Sequence, residues 1–470
     1  MRNDKNDISV RKLFSRRNFL RTLGVGTAGL FISPYLKSGS LFASDLFGAS
    51  TLAKVAITSA TGYDRTVIKQ KVQYVLNLIG GIGDLFSSGK KVGIKINLTG
   101  GSGYANDPKL QGVPITECMW THPEVLRAVG ESILDCGVKG SDIYILEALG
   151  DDASYNNYGY KDVQNYLGAQ MVNLNNTAPY SNFLTKQVGS NNFYWTSFTL
   201  NQILSDIDVY VSIPKMKQHA EGSLTCSLKN QIGITPMSKY ITQSISYRRE
   251  ALHTVGTTTA SSIQLPRSIC DLNLARPVHL AVVDGIKNAT GGEGAWNSTF
   301  QPSQSKVLLA GKDPVATDTI AARLMTLDPM ATTLKRPDGT QNNNYLDMLH
   351  AKGIGTNQIN EIELVGDGAG LVSVNENINS EMPKDFQLYQ NYPNPFNPTT
   401  MIRYQVPANN DVTLKVFDMR GREIKTLVHA KQNAGSYTIR FNASGLSSGT
   451  YFYTLRAGSL SSVKEMLLLK

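Results

Sequence analysis

Short apolar strands alternate with amphipathic helices along most of the chain, and this alternation strongly constrains the fold. Strands separated by helices favour βαβ units, so we expect residues 50–370 to form a mostly parallel sheet with helices on both faces. The predicted strands are residues 53–58, 91–98, 142–146, 170–174, 208–213, 278–284, 306–309 and 361–365. The predicted helices are residues 63–86, 122–136, 163–167, 223–232, 266–274, 313–327 and 345–352.

The length and charge of the chain restrict its class. A chain of 470 residues is longer than one hydrophobic core ordinarily accommodates, which predicts two or three domains. The net charge of +9 is concentrated at the amino terminus, where residues 1–45 hold eight Lys or Arg against three acidic residues. The remainder holds 38 basic and 34 acidic residues without a long basic run, so nucleic-acid binding is not indicated.

The cysteine pattern gives no cofactor motif. Cys118, Cys136, Cys226 and Cys270 form no CxxC pair, so neither a zinc ribbon nor a Cys-ligated iron–sulfur cluster is supported. Disulfides and buried free thiols both remain open.

The amino terminus has the pattern of an export signal. Arg16 and Arg17 follow Ser15 and precede Asn18-Phe19-Leu20, and a weakly apolar run follows that is too short to span a membrane stably. This segment resembles a twin-arginine signal peptide over residues 1–43, which implies the twin-arginine translocase as a partner. Residues 24–29 spell GxGxxG, but no predicted strand precedes them, so we reject a dinucleotide site there.

One stretch concentrates groups that could bind a ligand. A strand over residues 208–213 is stopped by Pro214, and Lys215, Lys217 and His219 follow at alternate positions. We predict a helix over residues 223–232, capped by Ser223, which carries Lys229 and Asn230. In an open α/β sheet, ligands bind outside the carboxyl ends of the strands.

Other polar residues fall at similar places. Lys95 and Asn97 close one predicted strand, His122 opens a helix behind Thr121, Asp284 ends a strand, and Asp313 precedes a helix. Each residue has a structural alternative: Asp313 as a helix cap, Asp284 in a turn, His122 as a packing residue, and Lys217 and His219 in a solvated loop.

Several cations near strand ends predict an anion site for a carboxylate or a phosphate. In this hypothesis Lys95, Lys217 and Lys229 hold or polarise the anion, His219 acts as acid or base, and Asp284 orients His219 or binds a metal. We also expect Lys215, Asn230, Asn97, His122 and Asp313 to contact the ligand. Metal binding by His219, Asp284 and Glu293 competes with this use, but no HExxH pattern supports it, and no GxSxG elbow supports a catalytic triad.

These motifs carry a family resemblance. Residues 213–219 and 227–233, with Ile94-Lys95-Ile96-Asn97 and Val283-Asp284-Gly285, resemble the bacterial family catalogued as domain of unknown function 362. The Thr121-His122-Pro123 helix start, residues 313–318 and His253 also fit it. The resemblance covers roughly residues 50–370 and implies no common activity.

The carboxyl terminus carries a second targeting pattern. Residues 371–387 are polar and predict a linker, and strands predicted at 401–406, 412–418, 435–442 and 450–457 favour a small Ig-like β-sandwich. Residues 388–470, which contain NYPNPFNP and AGSYTIRFNASGLSSGTYFYTL, resemble the type A sorting domain of the type-nine secretion system. This resemblance implies export through the periplasm and then secretion or attachment to the outer surface of the outer membrane.

The sequence thus predicts an exported protein whose Lys- and His-lined cleft binds an anionic small molecule, as an enzyme in the leading hypothesis. A non-catalytic cell-surface binding protein is one alternative. A redox or metal-cofactor accessory protein is another, and the sequence names no cofactor.

Overall fold

The computed structural model describes most of the chain beyond the predicted signal. The described residues are 52–241, 249–253, 261–373, 386–391, 394–432 and 434–469. The predicted signal peptide and most of the predicted linker lie outside them. None of the helices in the described residues is both long and apolar enough to cross a membrane.

Most of the described strands before residue 374 belong to one large sheet. The strands in this part of the chain are β1 (Ala53–Ser59), β2 (Val92–Lys95), β3 (Ile143–Glu147), β4 (Gln170–Asn173), β5 (Phe183–Gln187), β6 (Ser197–Asn201), β7 (Val209–Ser212), β8 (Lys215–His219), β9 (Ser223–Thr225), β10 (Leu280–Thr290), β11 (Gln301–Ser303), β12 (Val307–Gly311), β13 (Thr333–Lys335), β14 (Gln341–Asn343) and β15 (Ile362–Val365). β5 pairs with β6 and β13 pairs with β14 as separate hairpins that the sequence did not predict.

The helices alternate with these strands. They are α1 (Arg65–Leu78), α2 (Ile115–Cys118), α3 (Pro123–Asp135), α4 (Asp152–Asn156), α5 (Tyr160–Leu167), α6 (Ile203–Asp206), α7 (Met237–Tyr240), α8 (Glu250–His253), α9 (Ser261–Ala275), α10 (Pro314–Leu324), α11 (Tyr345–Ala351) and α12 (Ala369–Ser373). Short 3₁₀ helices cover Ser102–Tyr104, Pro108–Leu110, Gly140–Asp142, Lys229–Ile234 and Ile359–Glu361.

The main sheet is mostly parallel, as predicted. Its strand order is β15-β1-β12-β10-β7-β2-β3-β4, with β8 and β11 on β10 and β9 on β8. Along this path β12 runs antiparallel to both of its neighbours, and the other adjacent strands are parallel. β3 and β4 follow β2 on one side, whereas β7 and β10 add on the other side, so the chain order reverses between β2 and β7.

Alternating side chains bury both faces of this sheet. Val209 and Val211 pack in one core with α1, α3 and α5, while Tyr210 between them packs in a second core with α9, α10 and α11. The alternation follows from the two-residue period of a strand. Helices therefore cover both faces, which confirms the predicted fold class.

The segment after β7 folds differently from the prediction. The predicted helix over residues 223–232, with Ser223 as its cap, is wrong: β8 and β9 form an antiparallel hairpin, and a 3₁₀ helix follows at Lys229. β8 also pairs with β10, which continues past its predicted end at Asp284 to Thr290. Pairing of Ser223–Thr225 with β8 occupies backbone groups that the first turn of the predicted helix would have used.

The carboxyl-terminal residues form two further sheets with a hydrophobic core of their own. Their strands are β16 (Gln387–Leu388), β17 (Thr399–Val406), β18 (Asn410–Asp418), β19 (Glu423–Gln432), β20 (Gly435–Asn442), β21 (Gly449–Ala457) and β22 (Leu460–Leu468). The β-sandwich class is confirmed, but the four predicted strands were too few. β19 was missed because it is mostly exposed and buries only Val428, so it shows no clear apolar alternation. The predicted domain boundaries stay predictions.

A carboxylate on α10 anchors the turn that follows β9. The two oxygens of Asp318 accept hydrogen bonds from the backbone N–H groups of Ser227 at 2.9 Å and Leu228 at 2.8 Å. All three residues are buried, so these N–H groups have no access to water as a substitute partner.

We expect Asp318→Ala to lower the free energy of unfolding by about 2–5 kcal/mol, because it leaves two buried donors without acceptors. Chemical denaturation measures this loss. Asp162→Ala, at an exposed helical position, serves as the control and should change stability by no more than about 0.5 kcal/mol. Equal losses in the two variants would contradict the anchoring role.

Candidate functional site

The predicted site residues lie at the carboxyl edge of the parallel strands. Lys95 ends β2, pairs across to Ser212 at the end of β7, and on its other side pairs to Leu146 in β3. This edge is where the chain order reverses between β2 and β7. In open α/β sheets such a reversal leaves a crevice at the strand ends, which is the usual ligand position.

Lys95 is held in a buried ion pair. Its Nζ lies 3.0 Å from Oε2 of Glu147, and both side chains are almost completely buried. The same amine donates to Oδ1 of Asn230 at 3.2 Å, and Nδ2 of Asn97 donates to that oxygen at 3.2 Å. A Cβ on Gly233 would lie 2.7 Å from the Lys95 amine, so a larger residue there would displace the ends of the Lys95 and Glu147 side chains.

Lys215 forms a second buried ion pair. Its Nζ lies 2.6 Å from Oδ2 of Asp284, and both side chains are fully buried. The Tyr63 hydroxyl accepts from the Lys215 amine and donates to Asp284, each at 2.8 Å. The backbone N–H of His122 donates to Asp284 at 2.9 Å, and the His122 ring stacks on Tyr63 at 3.8 Å. Burial lowers the pKa of His122 to about 3, so this ring is neutral.

Lys217 and Lys229 differ from these pairs because no described carboxylate pairs with either amine. The Lys217 amine donates to the backbone oxygen of Met119, whereas the Lys229 amine donates no hydrogen bond to any described residue. Burial lowers the pKa of Lys217 to about 7; Glu293 opposes this shift, and Lys229 adds to it. Burial lowers the pKa of Lys229 to about 8, against the opposing charges of Glu293 and Glu221.

The His219 ring is arranged as a neutral donor. Its Nδ1 accepts hydrogen bonds from the backbone N–H groups of Glu221 and Gly222, both at 3.0 Å. The proton of the neutral ring therefore lies on Nε2. Burial lowers the pKa of His219 well below its ordinary value. Oε2 of Glu293 lies 3.6 Å from Nδ1, but Nδ1 is already an acceptor, so we do not regard this contact as an ion pair.

Glu293 is a buried carboxylate beside these lysines. It accepts from the backbone N–H of Ala220 at 3.0 Å and from the Trp296 indole at 2.9 Å. Burial would raise its pKa, but the Ala220 N–H and the charge of Lys229 oppose burial and lower the pKa below the ordinary value. Glu293 therefore remains charged at neutral pH.

The predicted site residues thus fall into three groups and one separate residue. Lys95, Asn97 and Asn230 form the first network; Lys215, Asp284 and His122 form the second; Lys217, His219 and Lys229 form the third. Asp313 instead caps α10 through the N–H groups of Val315 and Ala316. The hydrogen bonds of Asp284 go to Lys215, Tyr63 and backbone rather than to His219.

Sequence reasoning missed several partners of these residues. Glu147 and Tyr63 were not predicted, although Glu147 ends an apolar strand in the way that Asp284 was predicted to. His253, which fits the family pattern, places Nε2 3.7 Å from Glu221. The residues predicted to line an open cleft are buried: Lys217 is 0% exposed, His219 6% and Lys229 7%.

The sequence also left open whether the protein holds a metal ion or disulfide bonds. Within the described ranges, no three His, Cys, Asp or Glu side chains are grouped closely enough to hold a metal ion. The four cysteines are free thiols, and three of them are buried.

The fold and the site together define an α/β domain. Its cluster of buried ionisable residues lies at the carboxyl ends of the sheet strands. Residues 92–323 match the family described as "Domain of unknown function (DUF362)", and residues 390–469 match the "Secretion system C-terminal sorting domain". The first match lies within the α/β part of the chain, and the second covers the carboxyl-terminal sheets. The sorting domain indicates handling by the type-IX secretion machinery, export through the periplasm, and secretion or cell-surface attachment.

Individual proteins match at low identity. The "Thylakoid-associated protein sll1697" of Synechocystis is 23% identical over 277 residues, which cover 58% of this chain and 75% of that protein. The lactate racemase apoprotein structure from Thermoanaerobacterium thermosaccharolyticum has 15% identity and a TM-score of 0.29, and covers 55% of this chain and 56% of its own. PorZ of Porphyromonas gingivalis matches with 17% identity and a TM-score of 0.14 over 20% of this chain and 13% of its own. Neither structural likeness assigns an activity here.

Removing the charge of a paired lysine and of an unpaired lysine should have opposite effects on the stability of the protein. We expect Lys215→Met to cost about 3–5 kcal/mol of stability, because it leaves Asp284 buried without its cation. Lys217→Met should change stability by less than about 1 kcal/mol or increase it, because it removes a buried amine that has no counter-ion. Chemical denaturation at pH 7 measures both.

The matched control for this comparison is the double variant Lys215→Met/Asp284→Leu, which removes both partners and should recover part of the loss. A loss for Lys217→Met as large as that for Lys215→Met would show that Lys217 also has a structural counter-charge.

Proposed function

We propose that the DUF362 domain encloses a small anion between the amines of Lys217 and Lys229. The observation that carries this proposal is the contrast among four buried lysines. Lys95 and Lys215 each have a carboxylate within 3.0 Å, and Lys217 and Lys229 have none among the residues that the structure describes. Buried charges are normally paired, so an anionic ligand would supply the missing counter-charge.

In this proposal His219 donates to the ligand through its Nε2 proton. A neutral ring suits this role because its Nδ1 lone pair is already used by two backbone N–H groups. The network of Lys95, Asn97 and Asn230 and the pair of Lys215 and Asp284 then hold the strand ends in position. An acid or base role for His219 stays a prediction.

A catalytic function is the second candidate, and the pKa of Lys217 favours it. A lysine with a pKa of about 7 can both accept and release a proton near neutral pH, which is the condition for efficient general acid–base catalysis. Lys217 would then transfer a proton to or from the bound anion, with Lys229 holding the charge. Turnover of a stabilising ligand separates this function from simple binding at the cell surface.

We expect at least one small anion to raise the melting temperature of the exported protein. The panel is acetate, malonate, sulfate and phosphate at constant ionic strength, measured by thermal shift. A ligand at 100 times its Kd stabilises the native state by about 2.7 kcal/mol. Lys217→Met and Lys229→Met should both lose the response.

Lys161→Met is the control, because Lys161 is an exposed lysine on α5 and should keep the wild-type response. The proposal fails if wild-type protein responds to no anion in the panel. It also fails if Lys161→Met loses the response to the same extent as Lys217→Met.

A further inference from the structure

A hydroxyl beside Lys217 has no hydrogen-bond partner among the described residues. This hydroxyl is Oγ1 of Thr225, a residue that is only 3% exposed. In the β8–β9 hairpin Thr225 pairs directly with Lys217, so the two side chains lie on the same face as close neighbours. A buried hydroxyl without a partner is costly, which is a reason to look for a missing acceptor at this position.

A second unpartnered donor lies near Lys229. Nε of Arg249 donates to the backbone oxygen of Thr235 at 2.8 Å, but its Nη2 is buried without a partner in the described ranges. Arg249 is close enough to Lys229 for its charge to lower the pKa of that amine. A Cβ on Gly222 would lie 2.6 Å from Cε of Lys229, so this glycine leaves the space that the lysine side chain occupies.

The charges around these donors do not balance. Four cations influence one another here, and they face two buried carboxylates, Glu147 and Glu293. The four cations are Lys95, Lys217, Lys229 and Arg249. Glu221 also faces Lys229, but its side chain is 38% exposed and water can solvate it. With all four basic groups protonated, as a bound anion would favour, the buried groups among the described residues leave two positive charges.

We propose that the site takes a dianionic oxyanion, inorganic phosphate or a phosphomonoester, and that the Thr225 hydroxyl and the Arg249 guanidinium donate to it beside the two lysines. This inference rests on the proposed function and names its ligand class. A phosphate group carries about −1.5 to −2 charges at pH 7, which matches the two unbalanced cations. Its several oxygens can accept from all four donors, and guanidinium groups suit phosphate particularly well.

The test titrates purified full-length protein with inorganic phosphate, glycerol phosphate, sulfate and acetate at constant ionic strength. We expect phosphate or its ester to bind at least about tenfold more tightly than acetate, because each charge-assisted hydrogen bond that acetate cannot form costs affinity. The two phosphate arms distinguish the free ion from an esterified ligand.

Thr225→Val tests the hydroxyl directly. Valine keeps the shape of threonine and removes the unpartnered group, so the melting temperature without ligand should rise. The Kd for phosphate should also rise, by about tenfold, because the bound oxygen loses a donor. Thr319→Val is the matched control: Thr319 Oγ1 is equally buried and unpartnered, but it lies on α10. That variant should gain stability and keep its phosphate affinity.

The outcomes separate this inference from the proposed function. If acetate binds as tightly as phosphate through Lys217, the inference is wrong and the proposed function stands. If Thr225→Val lowers the melting temperature and leaves the phosphate Kd unchanged, the hydroxyl is structural and the inference is overturned. If no anion binds, both proposals fail.

Discussion

The cost of moving charged side chains out of water shapes the carboxyl edge of this sheet. Lys95 and Lys215 occupy buried positions at or just beyond strand ends, and each is stabilised by a carboxylate that the fold brings to it. Glu147 comes from the neighbouring strand β3, and Asp284 comes from β10 on the other side of β7. These two pairs fix the relative positions of four strands, and the groups between them depend on that frame.

Within the described part of the chain, the same edge leaves Lys217 and Lys229 without such partners. The hairpin of β8 and β9 turns the chain back over the strand ends, and the His219 ring stabilises this turn by accepting two of its N–H groups. Asp318 on α10 holds the following segment by accepting from the N–H groups of Ser227 and Leu228. Several hydrogen bonds of the fold therefore hold two cationic amines in buried positions. A binding site explains this arrangement better than a structural role does.

Much of the architecture could be predicted because buried strands are rich in β-branched residues and separated by amphipathic helices. Lys95 was recognisable because an isolated lysine interrupts an apolar strand, and Asp284 because it follows one. The hairpin was not recognisable: alternating polar residues from Lys215 onward resemble a solvated loop, and its pairing partner β10 lies more than sixty residues away. Which lysines are paired depends on strand register, as for Lys95 and Glu147, and that register is not visible in a single sequence.

The pH dependence of stability in the absence of any ligand tests the central claim most directly. Lys217 and Lys229 have folded pKa values of about 7 and about 8, below the ordinary lysine value of 10.5. Between these values the unfolded chain binds more protons, so both lysines make stability rise with pH, by at most about 1.4 kcal/mol per pH unit for each. The free energy of unfolding should therefore increase more steeply from pH 7 to 10 in the wild type than in Lys217→Met/Lys229→Met. Parallel curves for the two proteins would contradict the claim that these buried amines lack counter-ions.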